Sequence, residues 1–427
     1  MKQLINYLYA HLFSLSFLVA FIFFSMDMSG YFGTWGYKLY YPMLFVGALY
    51  CLRYKKYIGS LYILYLIICL LSIIVNDVPS YYHAPIRWGI FVLLLSTFSN
   101  IFNSRKIALF RLHLFHIFSI LSLVLVTVNY LLFVIGKGDL AQMSRFEEQG
   151  IYTGSTANNE MGLLGAVAIM FIIVFVGKTY KTLSFFIKIL FLICLICSIS
   201  MMGLASSRMG LVCTLLSVIF VLYRLNSKSF KKIIISAVIF IVGLFLASNY
   251  LGENFKYMLS KNGGEIENID THSRDDLWNA RIREFKENPL LGCGFASIKY
   301  GLTSDTAQDN NGRVESGSGW MSILSQTGLL GATCVLFIII PNLVFLIRHR
   351  SNSYCAAWYS GMCVMFFLQP FTEAYITTIG AVLCCLFWLN YSVIDSFRKG
   401  ILKEEDLDLS IYSKYKLFDK RLKHLKK

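Results

Sequence analysis

Charge is what this sequence has little of. Asp, Glu, Lys and Arg make up 15% of its 427 residues, against 56% hydrophobic ones. A soluble domain carries roughly 25% charged residues, so this chain lacks the polar surface to cover itself in water. Metal-ligand spacing is missing too. His83, His113, His116 and His272 form no chelating pattern, and Asp275–Asp276 read as acids at the start of a helix. Gly292-x-Gly294 has neither the strand–helix context nor the lysine of a phosphate loop. Gly317-Ser318-Gly319 has no triad partners, which argues against a serine hydrolase. There is no internal repeat and no low-complexity segment. The eleven cysteines fall almost entirely inside apolar runs, and Cys194-x-x-Cys197 has no neighbouring His or acid. Cys293 stands alone in the long polar loop, so no disulfide forms within it.

What is present is a series of long apolar runs, such as Leu4–Phe24, Ile233–Leu246 and Leu329–Ile347. Runs near 20 residues match a hydrocarbon core about 30 Å thick. Hydropathy places spans at 4–24, 36–52, 58–75, 84–102, 114–136, 160–177, 183–200, 209–223, 233–249, 320–347, 354–371 and 376–394. The first run is followed by Ser-Met-Asp-Met-Ser-Gly and lacks a small-residue cleavage site, so it reads as a retained span. The net charge of +15 sits between alternate runs: Arg53/Lys55/Lys56, Arg105/Lys106/Arg111, Lys178/Lys181, Arg224/Lys228/Lys231/Lys232, Arg348/Arg350 and the tail from Arg398. That spacing is the positive-inside signature; it reports orientation and leaves no nucleic-acid footprint.

The expected fold is an all-α integral membrane protein of about twelve transmembrane helices, with both termini cytoplasmic. Residues 1–249 hold helices 1–9 and residues 250–319 form a long extracytoplasmic loop. Residues 320–394 hold helices 10–12, and 395–427 form a basic cytoplasmic tail. Within the loop, Ser273-x-x-Asp276 reads as a capping box and Pro289 as a stop, which predicts a helix over Arg274–Asn288. At 100° per residue Leu277, Trp278, Ile282 and Phe285 share its apolar face with Arg274 and Arg281. Two arginines on such a face serve either lipid phosphates or an anionic ligand.

Arginine at the outer edge of a membrane runs against the positive-inside bias and is therefore informative. Arg87, Arg145, Arg208, Arg274 and Arg281 all fall there. A guanidinium binds phosphate through a two-pronged fork and does not deprotonate, so such a cluster suits a pyrophosphate. Glu315 sits just before the tenth span, in Val-Glu-Ser-Gly-Ser-Gly-Trp. It reads either as a general base near a lipid headgroup or as a solvated loop acid.

The motifs occur in a definite order: Arg145, Gly150, Asn158-Asn159-x-x-Gly162, Ser206-Ser207-Arg208-x-Gly210, Arg274-x-x-x-Trp278, Asn288-Pro289-x-x-Gly292-x-Gly294, Trp320 and Gly328-x-x-Gly331. The chain in this respect resembles the O-antigen ligase and polymerase superfamily, over about residues 140–345 in motif detail. The resemblance implies a multi-pass protein of the bacterial cytoplasmic membrane that transfers lipid-linked glycans on its outer face. Donor and acceptor would be polyprenyl-diphosphate-linked oligosaccharides. The chemistry would invert the anomeric centre and need no metal or cofactor, and a flippase and a chain-length regulator would be partners beside the membrane lipids. Arg208 and Arg274 would hold the diphosphate, with Arg87, Arg145, Arg281, Trp278 and Trp320 as further substrate contacts. Ligase-type members carry a His-Asn pair just before the tenth span, where this chain has Gly317-Ser318. That departure favours a polymerase of repeat units for capsular or similar surface polysaccharide, with Glu315 as the nearest base. The rivals are a ligase acting on another acceptor and a transporter of the lipid-linked unit. Transport is disfavoured by the lack of repeats and of mid-span charges.

Overall fold

The computed structural model describes residues 2–27, 35–138, 152–156, 158–181, 183–205, 207–225, 275–300, 317–349 and 353–407. Among them the fold is all-α apart from one two-stranded ribbon. The helices are α1 (Lys2–Asp27), α2 (Trp35–Tyr54), α3 (Ser60–Val75), α4 (Ala84–Phe98), α5 (Arg105–Val134), α6 (Asn158–Thr179) and α7 (Phe185–Leu204). Next come α8 (Arg208–Leu225), α9 (Asp275–Glu287), α10 (Gly319–Arg348), α11 (Tyr354–Leu368), α12 (Val382–Arg398) and α13 (Glu404–Leu407). Five of them (α5, α6, α7, α8 and α10) are long and apolar enough to cross a membrane. The chain is a multi-pass integral membrane protein. The expected span at 233–249 lies outside the described residues; each of the other expected spans coincides with a helix.

α12 stands at the centre, buried from Val382 to Ser396 on every side. A helix surrounded by protein can carry polar groups that a lipid-facing one cannot, provided they are paired. Asn390, Ser392, Asp395 and Ser396 lie on it, and Asn100 from the end of α4 donates to Asp395 Oδ2 at 2.8 Å and to the Ser392 carbonyl at 2.9 Å. Arg111 on α5 completes this polar knot. The sequence reading put it in a cytoplasmic basic cluster, but its guanidinium is fully buried. It donates to Asn100 Oδ1 and to the carbonyls of Thr97, Phe102 and Ser96 at 2.8–3.1 Å. The ribbon β1 (Tyr57–Ile58) and β2 (Phe102–Asn103) pairs antiparallel beside it.

Arg224 donates to the His349 carbonyl, Arg398 to Asn342, and Arg105 pairs with Asp406. These ties gather the basic helix ends on one face. The N-termini of α6, α8 and α10 lie on the opposite face.

α10 is broken there. Gly328 takes φ 64° and ψ −164°, which interrupts the helical ladder in its first third. The segment after α9 fills the gap: Leu329 N–H donates to the Pro289 carbonyl at 2.7 Å, and Cys293 N–H to the Ser325 carbonyl at 2.7 Å. Phe295 is fully buried and its N–H reaches Ser72 of α3 at 3.0 Å. Backbone groups that a helix break would expose to lipid are thus paired with a loop that dips between helices. The glycines are sterically required. A Cβ at Gly328 would lie 2.3 Å from the Leu290 carbonyl, and one at Gly292 would lie 2.4 Å from the Ser325 oxygen. Gly292-x-Gly294, which as a sequence suggested a fragment of a phosphate loop, has this backbone contact as its structural role.

Candidate functional site

α6, α8, α10 and the turn that follows α11 meet on the face opposite the basic one. α8 begins at Arg208, immediately after Ser207. Ser207 packs against α6 so closely that a Cβ at Gly162 would fall 2.3 Å from its Oγ. One turn earlier on α6, Asn159 donates to Glu373 Oε1 at 2.6 Å. Glu373 follows a short 3₁₀ turn, Gln369–Phe371, and its carbonyl accepts from Gly319 N–H at 3.0 Å. Ser318 caps α10 by accepting from Met321 N–H, and its hydroxyl donates to the Pro370 carbonyl at 2.9 Å. Three helix starts are therefore knotted to one turn, and Glu373 sits on that turn. Helix N-termini carry partial positive charge, so their convergence favours an anionic ligand.

Several polar groups in this knot are buried with no hydrogen-bond partner among the described residues: Ser207 Oγ, one Nη of Arg208, both side-chain heteroatoms of Gln369 and the Tyr375 hydroxyl. Buried polar groups are usually paired, so a cluster of unmatched ones marks a place where water or a ligand belongs. Arg208 is half-buried and makes no ion pair with any described residue. Glu160, in the first turn of α6, is a second carboxylate at the same helix end.

Trp320 stacks obliquely on Phe367 and Phe371 and donates its indole N–H to the Phe367 carbonyl at 3.1 Å. Its ring joins α10 to the turn that bears Glu373. Trp278 on α9 packs near Gly317, and its indole nitrogen is buried without a partner among the described residues. Both tryptophans flank the start of α10.

Arg281 and Arg87 lie elsewhere. α9 runs over Asp275–Glu287, close to expectation, but it buries Ala280, Arg281 and Glu284, while Ile282 is exposed. The buried stripe is rotated from the apolar face read in the sequence because an ion pair occupies its centre. Arg281 meets Glu284 at 3.0 Å with both side chains fully enclosed, and it also donates to the Tyr300 carbonyl. Burial pulls its guanidinium below the ordinary value, opposed by the Glu284 charge. Glu284 Oε1 accepts from Lys299 N–H at 2.6 Å and Tyr300 N–H at 2.8 Å, which pins the returning loop. Lys299 and Tyr300 hold Glu287 below the usual carboxylate value. Arg87 lies in the first turn of α4, where its N–H donates to the His83 carbonyl. Arg145, Arg274 and Glu315 lie outside the described residues.

Sequence reasoning missed Glu373, Gln369 and Tyr375. Only a few polar residues separate the last two apolar runs, so no spacing pattern draws the eye. The available signal was the acid itself, a carboxylate in the short turn between two apolar runs.

No curated protein matches the chain. Residues 192–336 match the family described as O-antigen ligase. The matched segment starts in α7, takes in Arg208 and α9, and ends past the break in α10. Over residues 192–336 this chain thus matches the model of the O-antigen ligase family, whose members transfer lipid-linked glycans in the synthesis of surface polysaccharides.

Proposed function

We propose that this protein polymerises polyprenyl-diphosphate-linked oligosaccharide units on the outer face of a bacterial cytoplasmic membrane. The observation that carries the reading is the placing of Arg208, which has no ion pair among the described residues, next to Ser207 against the turn of α6 that follows the Asn159–Glu373 hydrogen bond. In this reading Arg208, together with Arg274, holds the donor diphosphate. A glycosyl diphosphate already has a good leaving group, so the protein has two tasks: to stabilise charge as it develops on phosphate, and to remove the acceptor's proton.

The acceptor hydroxyl gives its proton to a carboxylate while its oxygen attacks the anomeric carbon. The bond from that carbon to the diphosphate breaks, the leaving diphosphate takes the electron pair, and the arginine forks neutralise it. Attack from the side opposite the leaving group inverts the centre. Glu373 is our preferred base, since Asn159 fixes the orientation of its carboxylate. Glu315, two residues before Gly317, is the competing base. Arg87 and Arg145 remain candidates for the glycan or for a second diphosphate. Trp278 and Trp320 are sugar-stacking candidates at the start of α10.

Purified protein in liposomes with lipid-linked repeat units decides between the bases. Glu373→Gln keeps shape and hydrogen bonding but accepts no proton, so turnover should fall by about 10²–10⁴-fold with donor binding retained. The same loss in Glu315→Gln alone would move the base to the loop; normal turnover in both would remove the general-base step. The family match also supports a ligase reading. A strain lacking this protein separates the readings: loss of a polymerase leaves single units on the surface glycan, loss of a ligase leaves the final acceptor bare with polymer still on its lipid, and loss of a flippase leaves no unit outside.

A further inference from the structure

The basic face holds two adjoining cavities that the glycan site does not use. The larger, about 420 Å³, lies where the β1–β2 ribbon meets the end of α12, and Tyr57, Gly59, Asn103 and Lys399 line it. The smaller, about 160 Å³, shares Gly59 and Lys399 and adds Ser60, Leu61, Phe337 and Arg398. The larger volume falls within the range of about 300–1,000 Å³ that small-molecule sites occupy.

Three features describe what would fit. First, the site is cationic. Arg398 and Lys399 both contact Asp395, at 2.6 and 2.7 Å, so two cations face one carboxylate. α3 also starts here behind Gly59, which has no side chain to cap its first-turn N–H groups. Second, Asn103 is 3% exposed and lines the larger cavity; its Nδ2 donates to Ser396 Oγ, while its Oδ1 has no partner among the described residues. A buried amide oxygen without a donor calls for a hydroxyl or amine in the ligand. Third, apolar residues continue from the cavities onto the lipid-facing surface: Ile58 is 55% exposed, Leu61 39% and Phe337 61%.

An anion, a hydrogen-bond donor and an apolar tail together describe one kind of molecule at a membrane edge. We infer that these cavities bind an anionic glycerophospholipid with a hydroxylated headgroup, of the phosphatidylglycerol kind, from the leaflet at the basic face. Its phosphate sits on Lys399, Arg398 and the start of α3. A headgroup hydroxyl donates to Asn103, and the acyl chains run along Leu61 and Phe337. The lipid then bridges α3, α10, α12 and the ribbon.

Native mass spectrometry of the purified full chain tests this without any glycan substrate, with phosphatidylglycerol, phosphatidic acid and phosphatidylcholine offered in turn. Phosphatidylglycerol should stay bound where phosphatidylcholine does not. Lys399→Gln should lower its apparent affinity by about tenfold, the size of one charge-assisted contact. Asn103→Leu should erase the preference for phosphatidylglycerol over phosphatidic acid while leaving phosphatidic acid bound. Helical circular dichroism checks that both variants fold; a misfolded Asn103→Leu leaves the Lys399→Gln result to decide. Equal retention of the three lipids, unaltered by Lys399→Gln, overturns the proposal. So does displacement of the lipid by equimolar soluble glycerol phosphate, which would assign the cavities to a cytosolic phosphate ester.

Discussion

Two arginines on the face of the candidate site are held in opposite ways. Arg281 is enclosed with Glu284 at 3.0 Å, and the pair ties α9 to the loop ending at Tyr300. Arg208 starts α8, is half-buried and has no ion pair among the described residues. By sequence alone both were arginines at a membrane edge beside apolar residues. A buried cation matched by a carboxylate holds structure together, and breaking such a pair is costly because it strands the other charge. A half-buried cation with no ion pair among the described residues, set where three helix starts converge, is the better candidate for an anionic ligand.

Exchanging the two side chains' roles would break this comparison. Arg208→Lys keeps the charge and loses the fork, so polymer formation should fall by about 10²–10³-fold, the size of one lost transition-state donor, with thermal stability in detergent unchanged. Near-normal polymer length from Arg208→Lys would make it a lipid anchor. Arg281→Ala should act the other way, costing about 3–5 kcal/mol by leaving Glu284 buried and unpaired. Its readout is a lower unfolding temperature and less protein in the membrane. Arg281→Ala with full stability and no activity would reverse the two assignments. Gly328→Ala should also act on stability, by about 1–3 kcal/mol or more, since Cβ meets the Leu290 carbonyl and φ is positive.

Smaller in effect, and a sharper test of which face is outside, is the reactivity of cysteine. Burial pushes the Cys293 thiol up to about 12, so its reactive thiolate is scarce at neutral pH and grows about tenfold with each pH unit below that value. A membrane-impermeant maleimide should therefore label a cysteine at Asn262 quickly in intact cells. It should label Cys293 slowly but increasingly with pH, and leave a cysteine at Lys420 untouched. Labelling at Lys420 would invert the proposed topology. Turnover should also survive EDTA, since the proposed mechanism assigns the diphosphate to fixed arginines; loss in chelator with recovery in Mg²⁺ would require a different mechanism.

The helices were legible in the sequence because hydropathy reports contact with lipid, and lipid lies outside every span except those at the core. The reading weakened where the surroundings were protein. Arg111 looked like an inner-leaflet anchor and is a buried hub, because neighbouring carbonyls solvate it. α5 starts at Arg105 where the expected span began at 114, since its polar first turns pack against protein. The break at Gly328 left no hydropathic trace, because the apolar run continues through it. Of the site, Arg208 was readable from its motif. Glu373 was not, since what distinguishes it is a partner 214 positions away.

The broken α10 also constrains how the protein can be made. Phe295 N–H is bonded to Ser72, 223 positions earlier, and the loop around it closes the gap left by Gly328, still later in the chain. While the chain emerges from the ribosome, α3 must wait in the bilayer with its side open until that loop and then α10 arrive. Unpaired backbone is poorly tolerated in lipid, so loop and helix settle as one unit. A chain halted before α10 would hold its early helices and still lack the face on which both arginines stand. Biogenesis of this protein is therefore completed only in its last third.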